Sequence, residues 1–305
     1  MQILIETRPQ LEQHLKTINR DSRIAIDTEF KRVNTYYPEL CLVQIATTHS
    51  SECIDVLLID DLEPLYEKLY HSKTEWVVHS ARQDIEALYH LSKRIPSSLF
   101  DTQIAASLLN YPLQISYQAL TEILQDVQLD KSFTRFDWTT RPLPANVVEY
   151  ALDDVRYLLP NFEKLKHELT ISKKIQWLDE ETKFLLDYEL YNPNIKQICY
   201  KTKGLSQLEK KIQDKAIKLV AWRENNAQQK NKPRKWIMSD QKLLDYACGK
   251  SKLSTRSQKL FDDFVKESSE TFTLSKLLTP QKPLTSSEKS KKNELQRIIN
   301  SIAEV

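Results

Sequence analysis

Glycine is nearly absent from this sequence of 305 residues: only Gly204 and Gly249 occur. A Walker A loop, a G-x-G-x-x-G dinucleotide turn and a G-x-S-x-G nucleophile elbow each need closely spaced glycines, where backbone approaches phosphate or turns sharply. None can be built here, so any phosphate must be met by metals, helix ends or basic side chains. Cysteine is scarce too. Cys41, Cys53, Cys199 and Cys248 form no C-x-x-C pair and have no matching histidine spacing, which excludes a zinc finger or disulfide framework and leaves free thiols in a reduced compartment. No apolar run approaches the length that spans a bilayer, and Glu6 and Arg8 stand where a secretory signal would carry its apolar core. The expectation is a cytoplasmic protein without a membrane partner.

What is present is ordinary globular material, 40% hydrophobic and 28% charged, in a chain long enough for two domains. The net charge of +2 conceals an asymmetry. Residues 1–170 carry 17 Lys and Arg against 25 Asp and Glu, and residues 171–305 carry 27 against 17, so the first part is net −8 and the second net +10. A basic half points to an acidic partner such as nucleic acid, and an acidic half working on an anion needs cations at its site.

The first part alternates strand and helix signals. Leu11–Ile18 predicts a short helix, Ile24–Phe30 a strand, and Leu40–Thr48 and Glu52–Leu57 two more strands around the polar turn at His49. A helix near Leu62–Tyr70 and a strand over Glu75–His79 follow, and Ser80 with Gln83 reads as a capping box for the next helix. From Phe100 the pattern is mainly helical. Antiparallel strands followed by helix-linked ones predict an α/β domain with a mixed sheet over residues 1–195. The rest reads as helical: a linker at 196–205, a helix capped by Ser206 and Glu209, a polar loop at 225–235, a helix capped by Ser239, another near Leu260–Lys266, and a last short one over Asn293–Ile302.

On the strand Ile24–Phe30, side chains alternate, so Asp27 and Glu29 share one face with Ala25. Two anions side by side are costly inside a sheet unless a cation lies between them, whereas on an edge strand they would be a solvated acidic face. Asp84 falls in the first turn of a helix, where favourable interaction with the helix dipole is explanation enough. Tyr150 and Asp154 are four residues apart on a helix that Pro144 can start, and so share a face; Asp153 is turned away by about 100°.

Taken in order, Asp-x-Glu on a strand, Asp at a helix start and Tyr-x-x-x-Asp on a later helix resemble the DEDDy family of 3′–5′ exonucleases. The segments AIDTEFKRVNTYYPELCLVQIAT, VVHSARQDIEAL, FDTQIAASLL, LDKSFTRFDWTTRPL and YALDDVRYLLP are similar to the bacterial ribonuclease D group within it. The resemblance implies a ribonuclease H-like exonuclease fold with Asp27, Glu29, Asp84 and Asp154 as metal-binding carboxylates and Tyr150 positioning the attacking water. It implies two divalent ions, Mg²⁺ or Mn²⁺, which suit hard oxygen ligands, and no small-molecule cofactor. No histidine occurs between His90 and His167, in keeping with the tyrosine subtype rather than the histidine one.

Lys131, Arg135, Trp138 and Arg141 lie in the matching basic stretch and are candidates for contacting phosphates or stacking on a base; His79 matches a position just before the second motif. Residues 206–286, through LVAWRENNAQQKNKPRKWIMSDQKLLDYA, resemble an HRDC domain, a helical nucleic-acid-binding module, with Lys232, Arg234 and Lys235 as candidate contacts. Residues 287–305 form a tail too short for a second such domain. The resemblance therefore implies an exoribonuclease releasing nucleoside 5′-monophosphates, with tRNA precursors as substrate; a monomer is the expectation, though nothing in the residues specifies it. An exonuclease on DNA, or an inactive RNA-binding protein, is the alternative.

Overall fold

Six strands make one mixed sheet: β1 (Leu4–Ile5), β2 (Arg23–Lys31), β3 (Glu39–Ala46), β4 (Ser51–Asp55), β5 (Glu75–Val78) and β6 (Ser98–Asp101). Their order is β1-β4-β3-β2-β5-β6, with β2, β3 and β4 an antiparallel meander and β1, β5 and β6 joining in parallel. These features come from a computed structural model that describes residues 3–18, 22–130, 132–267 and 284–303. Strand β5 pairs with β2 only over Arg23–Ala25, so Asp27 and Glu29 lie past its end. There Asp84 takes the Thr28 N–H, and both acids are half-buried, which does not fit a fully solvated edge. Strands β1 and β6 escape a periodicity reading, since neither has the length to show alternation.

Nine helices accompany this sheet among the described residues: α1 (Arg8–Thr17), α2 (Glu63–Leu69), α3 (Arg82–Ser92), α4 (Thr102–Leu108), α5 (Tyr117–Gln125), α6 (Ala145–Arg156), α7 (Leu158–Ile171), α8 (Ile175–Lys183) and α9 (Tyr188–Tyr191). Alternation on β2 sorts its residues between two cores. Ile24 and Ile26 pack with Val43, Ile45, Trp76 and the apolar residues of α1, α2 and α3. Ala25, on the other face, packs with Val77, Phe100 and α7 residues such as Phe162 and Leu165. Helix α6 lies over β3 and β4, where Val147, Val148, Ala151 and Leu152 meet Cys41, Leu42 and Cys53.

The ladder between β2 and β3 carries a bulge. Pairing passes from Glu29–Leu42 to Phe30–Leu40 and leaves Cys41 without a cross-strand partner. An extra residue of this kind bends the strand and frees main-chain polar groups for other use.

By Cα proximity the chain divides into two units, residues 1–193 with 230–233, and residues 194–229 with 234–305. The second is all helical: α10 (Ile195–Lys201), α11 (Lys210–Gln229), α12 (Arg234–Ile237), α13 (Asp240–Ala247), α14 (Thr255–Glu267) and α15 (Ser286–Ala303). Its core gathers Ile198, Cys199, Leu205, Leu219, Val220, Trp222, Leu243 and Phe261. The expected linker at 196–205 is thus a helix and a 3₁₀ turn, because Ile198, Cys199 and Leu205 supply apolar side chains that this core buries.

Other expectations also change. Helix α3 is capped at Ala81 without a side-chain bond, and Ser80 takes φ +63° while the Asp101 carboxylate receives the N–H groups of Ser80 and Ala81 at 3.1 and 2.9 Å. Ser206 lies in the 3₁₀ turn Leu205–Gln207, so α11 starts at Lys210, and it runs on to Gln229 through half of the expected polar loop. Ser239 does cap α13, accepting from the Lys242 N–H at 3.3 Å. The tail expected at 287–305 is largely helical from Ser286, and its described side chains are exposed. No helix among the described residues is long and apolar enough to cross a membrane. All four cysteines are free, three of them buried.

Candidate metal centre

Asp27 and Glu29 project from the same face of β2, and Asp154 reaches them from α6. One carboxylate oxygen from each lies within 4.8 Å of the others, the only such grouping of possible metal ligands among the described residues. The i, i+4 relation on α6 selects Asp154, while Asp153 turns aside and pairs with Arg156 at 2.6 Å.

Asp84 stands beside this trio. Its Oδ1 accepts the Thr28 hydroxyl at 2.6 Å and the Thr28 N–H at 3.1 Å, which ties the first turn of α3 to β2. Its charge still reaches the other acids: burial first, then Asp84, Asp154 and Glu29, hold the Asp27 carboxyl well above the usual range. Burial, then Asp154 and Asp84, push Glu29 up to about 9. Burial raises Asp84 to about 7 against the Thr28 hydrogen bonds, and burial with Asp153 raises Asp154 to about 7. None of the groups shifting Asp27 or Glu29 is a cation. A site of converging hard oxygen donors whose charges oppose one another fits a divalent ion such as Mg²⁺ or Mn²⁺, which relieves the repulsion and fixes the geometry.

Tyr150 sits one turn before Asp154 and is largely buried. Its ring meets Phe133 at 5.7 Å and 72°, and Trp138 at 6.5 Å and 30°, while Phe136 packs on Trp138 at 5.2 Å. Burial, then Asp154, raise its pKa, so the phenol keeps its proton at neutral pH.

The remaining expected contacts divide by environment. Arg141 points inward: its guanidinium meets Asp55 at 2.5 and 2.8 Å and donates to the carbonyls of Cys41, Trp138 and Thr140 at 3.0, 2.7 and 2.7 Å. Trp138 is buried against Tyr150. Both therefore fasten the segment 132–144 to the sheet, where substrate contact had been expected. His79 is satisfied by Thr102 Oγ1 and the Ile115 carbonyl, each at 2.9 Å, and burial lowers its pKa. Arg135 is exposed; Lys131 lies outside the described residues. In the helical unit, Arg234 is clamped on Glu224 at 2.5 and 2.7 Å, and Lys235 is exposed; Lys232 is exposed in the segment that groups with the first unit. Phe133, Phe136, Asp55 and Thr28 are parts of the site that sequence reasoning missed: Phe133, Asp55 and Thr28 act through partners distant in the chain, and Phe136 through Trp138, whose own contact with Tyr150 only the fold reveals.

Comparison with known proteins places the chain among nucleases. A ribonuclease D of Bartonella henselae is 39% identical over 255 residues, which cover 83% of this chain and 62% of that protein. The chain thus spans less than two thirds of that relative's length. The crystal structure of Escherichia coli RNase D, described as an exoribonuclease involved in structured RNA processing, superposes with a TM-score of 0.87 at 25% identity, covering 100% of this chain and 85% of that one. Brucella melitensis NrnC with bound Mg²⁺ shares the fold, with a TM-score of 0.53 at 22% identity over 68% of this chain and 96% of that one. The family model of 3′–5′ exonucleases matches residues 2–170. With that match over more than half of its length, the chain belongs to the 3′–5′ exonuclease family.

Proposed function

We propose that the chain is a metal-dependent 3′–5′ exoribonuclease of the ribonuclease D type, acting on structured RNA such as tRNA precursors. The observation that carries this reading is the convergence of Asp27, Glu29 and Asp154 within 4.8 Å, one helical turn from a buried, protonated Tyr150. Two divalent ions in such a site would activate a water and stabilise the departing oxygen. Asp27, Glu29, Asp154 and the second oxygen of Asp84 would hold them. The Tyr150 phenol, kept rigid by Phe133 and Trp138, orients the attacking water by hydrogen bonding. Water adds across the P–O3′ bond: its hydroxyl stays on the released nucleoside 5′-monophosphate and its hydrogen ends on the new 3′ oxygen.

Substrate grip falls to the exposed Arg135, Lys232 and Lys235 and to the helical unit, whose resemblance to an HRDC module and basic balance suit an RNA backbone. The test is digestion of 5′-labelled RNA and matched DNA, single-stranded, with Mg²⁺, Mn²⁺ or EDTA, beside Asp27→Ala. A metal-dependent ladder from the RNA 3′ end, absent in the variant, is expected. A ladder on DNA alone would reassign the sugar, and no cleavage with any metal would leave a binding protein.

A further inference from the structure

Gln44 is fully buried, and neither oxygen nor nitrogen of its side-chain amide has a hydrogen-bond partner. It lies on β3 directly opposite Asp27 of β2. Cross-strand partners in an antiparallel pair project to the same face, so the amide belongs to the face that carries the acids. Its neighbours there are apolar or already engaged. Leu42 and Ala46 flank it along β3, and Cys53, opposite it on β4, gives its thiol hydrogen to the Val148 carbonyl at 3.8 Å.

An unpartnered amide in such a place lowers stability, and an apolar residue of similar shape would remove that penalty. The fold therefore gives no reason for a glutamine. The metal centre does. A carboxylate that binds a cation through one oxygen is held in place when its other oxygen accepts a hydrogen bond from a neighbouring donor. A lysine or arginine at this position would neutralise the acids and compete with the ion; an amide donates without adding charge.

We infer that Gln44 is a positioning residue for Asp27: when a divalent ion binds, the Gln44 amide N–H donates to the Asp27 oxygen that faces away from it. The inference rests on the metal centre of the proposed function and is independent of which nucleic acid is cut. Full burial keeps Gln44 from touching substrate, so its influence passes through Asp27.

The test uses the full chain with Gln44→Met and, as a second shape, Gln44→Leu. Mn²⁺ affinity is measured by calorimetry and by the free-Mn²⁺ EPR signal, and thermal melting is recorded in EDTA. The expected result is melting in EDTA at or above the wild-type temperature together with Mn²⁺ binding weakened by about 10- to 100-fold. Lower melting with unchanged Mn²⁺ affinity in the variants would overturn the inference and make the amide a structural group. If either variant does not fold, the other decides; failure of both to fold would itself show a structural role and overturn it. Wild type that binds no Mn²⁺, like an Asp27→Ala control, would bring down the metal centre and this inference together; normal binding in wild type and both variants would remove the inference alone.

Discussion

The Asp84 carboxylate takes both the N–H and the hydroxyl of Thr28 on one oxygen, at 3.1 and 2.6 Å. An acid from the first turn of α3 is thereby fixed to the strand between the residues that carry Asp27 and Glu29. Thr28→Val keeps the shape and removes the hydroxyl. It is expected to weaken Mn²⁺ binding with little change in fold, measured by calorimetry beside circular dichroism; unchanged affinity would show that the Thr28 hydroxyl does not position Asp84.

Asp154→Asn should lower turnover by about 10³-fold, by analogy with the loss of other preorganised transition-state groups, while RNA binding in EDTA persists. The same change removes one of the charges acting on Glu29, so melting in EDTA should rise. A labelled-RNA time course and a melting curve check both signs.

Metal-free protein should lose stability as pH rises. Asp84 and Asp154 titrate near 7 and Glu29 near 9 in the fold, against 3.8 and 4.5 for the unperturbed groups. Between those limits the native state holds protons that the unfolded chain has released, so stability falls from about pH 4 to about pH 9, and Asp27, held well above the carboxylate range, adds to the fall. Asp137, held down to about 2 by Lys31, works the other way, but the pair is exposed and solvent screening leaves its contribution small. Melting in EDTA from pH 5 to 9 measures the slope; Mn²⁺ displaces those protons, so its stabilising effect should grow over the same window. A flat or rising EDTA profile would contradict the electrostatic account.

Tyr150→Phe keeps the ring against Phe133 and Trp138 and deletes the hydroxyl. The expected outcome is kcat lower by about 10²-fold with KM and melting temperature nearly unchanged, read from steady-state kinetics.

Arg141→Ala removes one partner of a buried pair and is expected to cost about 3–5 kcal/mol by urea unfolding. Lys31→Ala, which breaks an exposed pair with Asp137, should leave the urea midpoint nearly in place. Equal midpoints for the two variants would show that Arg141 is not the fastening of the segment 132–144.

Short-range periodicity made two pairs legible, while their union with Asp84 in one metal centre was what the family resemblance implied. Alternation placed Asp27 with Glu29, and a four-residue step placed Tyr150 with Asp154 rather than Asp153. The inward Arg141 was not legible, since a basic loop reads the same whether it meets phosphate or an acid 86 residues away in the chain. Nor were the helix starts near Ser80 and Ser206: a residue pattern for capping exists at each, but Asp101 takes the N–H groups at one and a 3₁₀ turn occupies the other. The linker expected at 196–205 is packed instead, and only the helical core shows that Ile198 and Leu205 have somewhere to go.

The bulge at Cys41 gives β3 an unusual kind of constraint. What it supplies is a main-chain oxygen, taken by Arg141 at 3.0 Å, and not a side chain. Residue identity at position 41 is therefore free within the limits of a buried site, whereas residue count is not. Deleting one residue between Leu40 and Leu42 would restore a regular ladder, withdraw that oxygen and let the segment bearing Trp138 shift against Tyr150. Functional variants of this strand should drift in composition while keeping a fixed length.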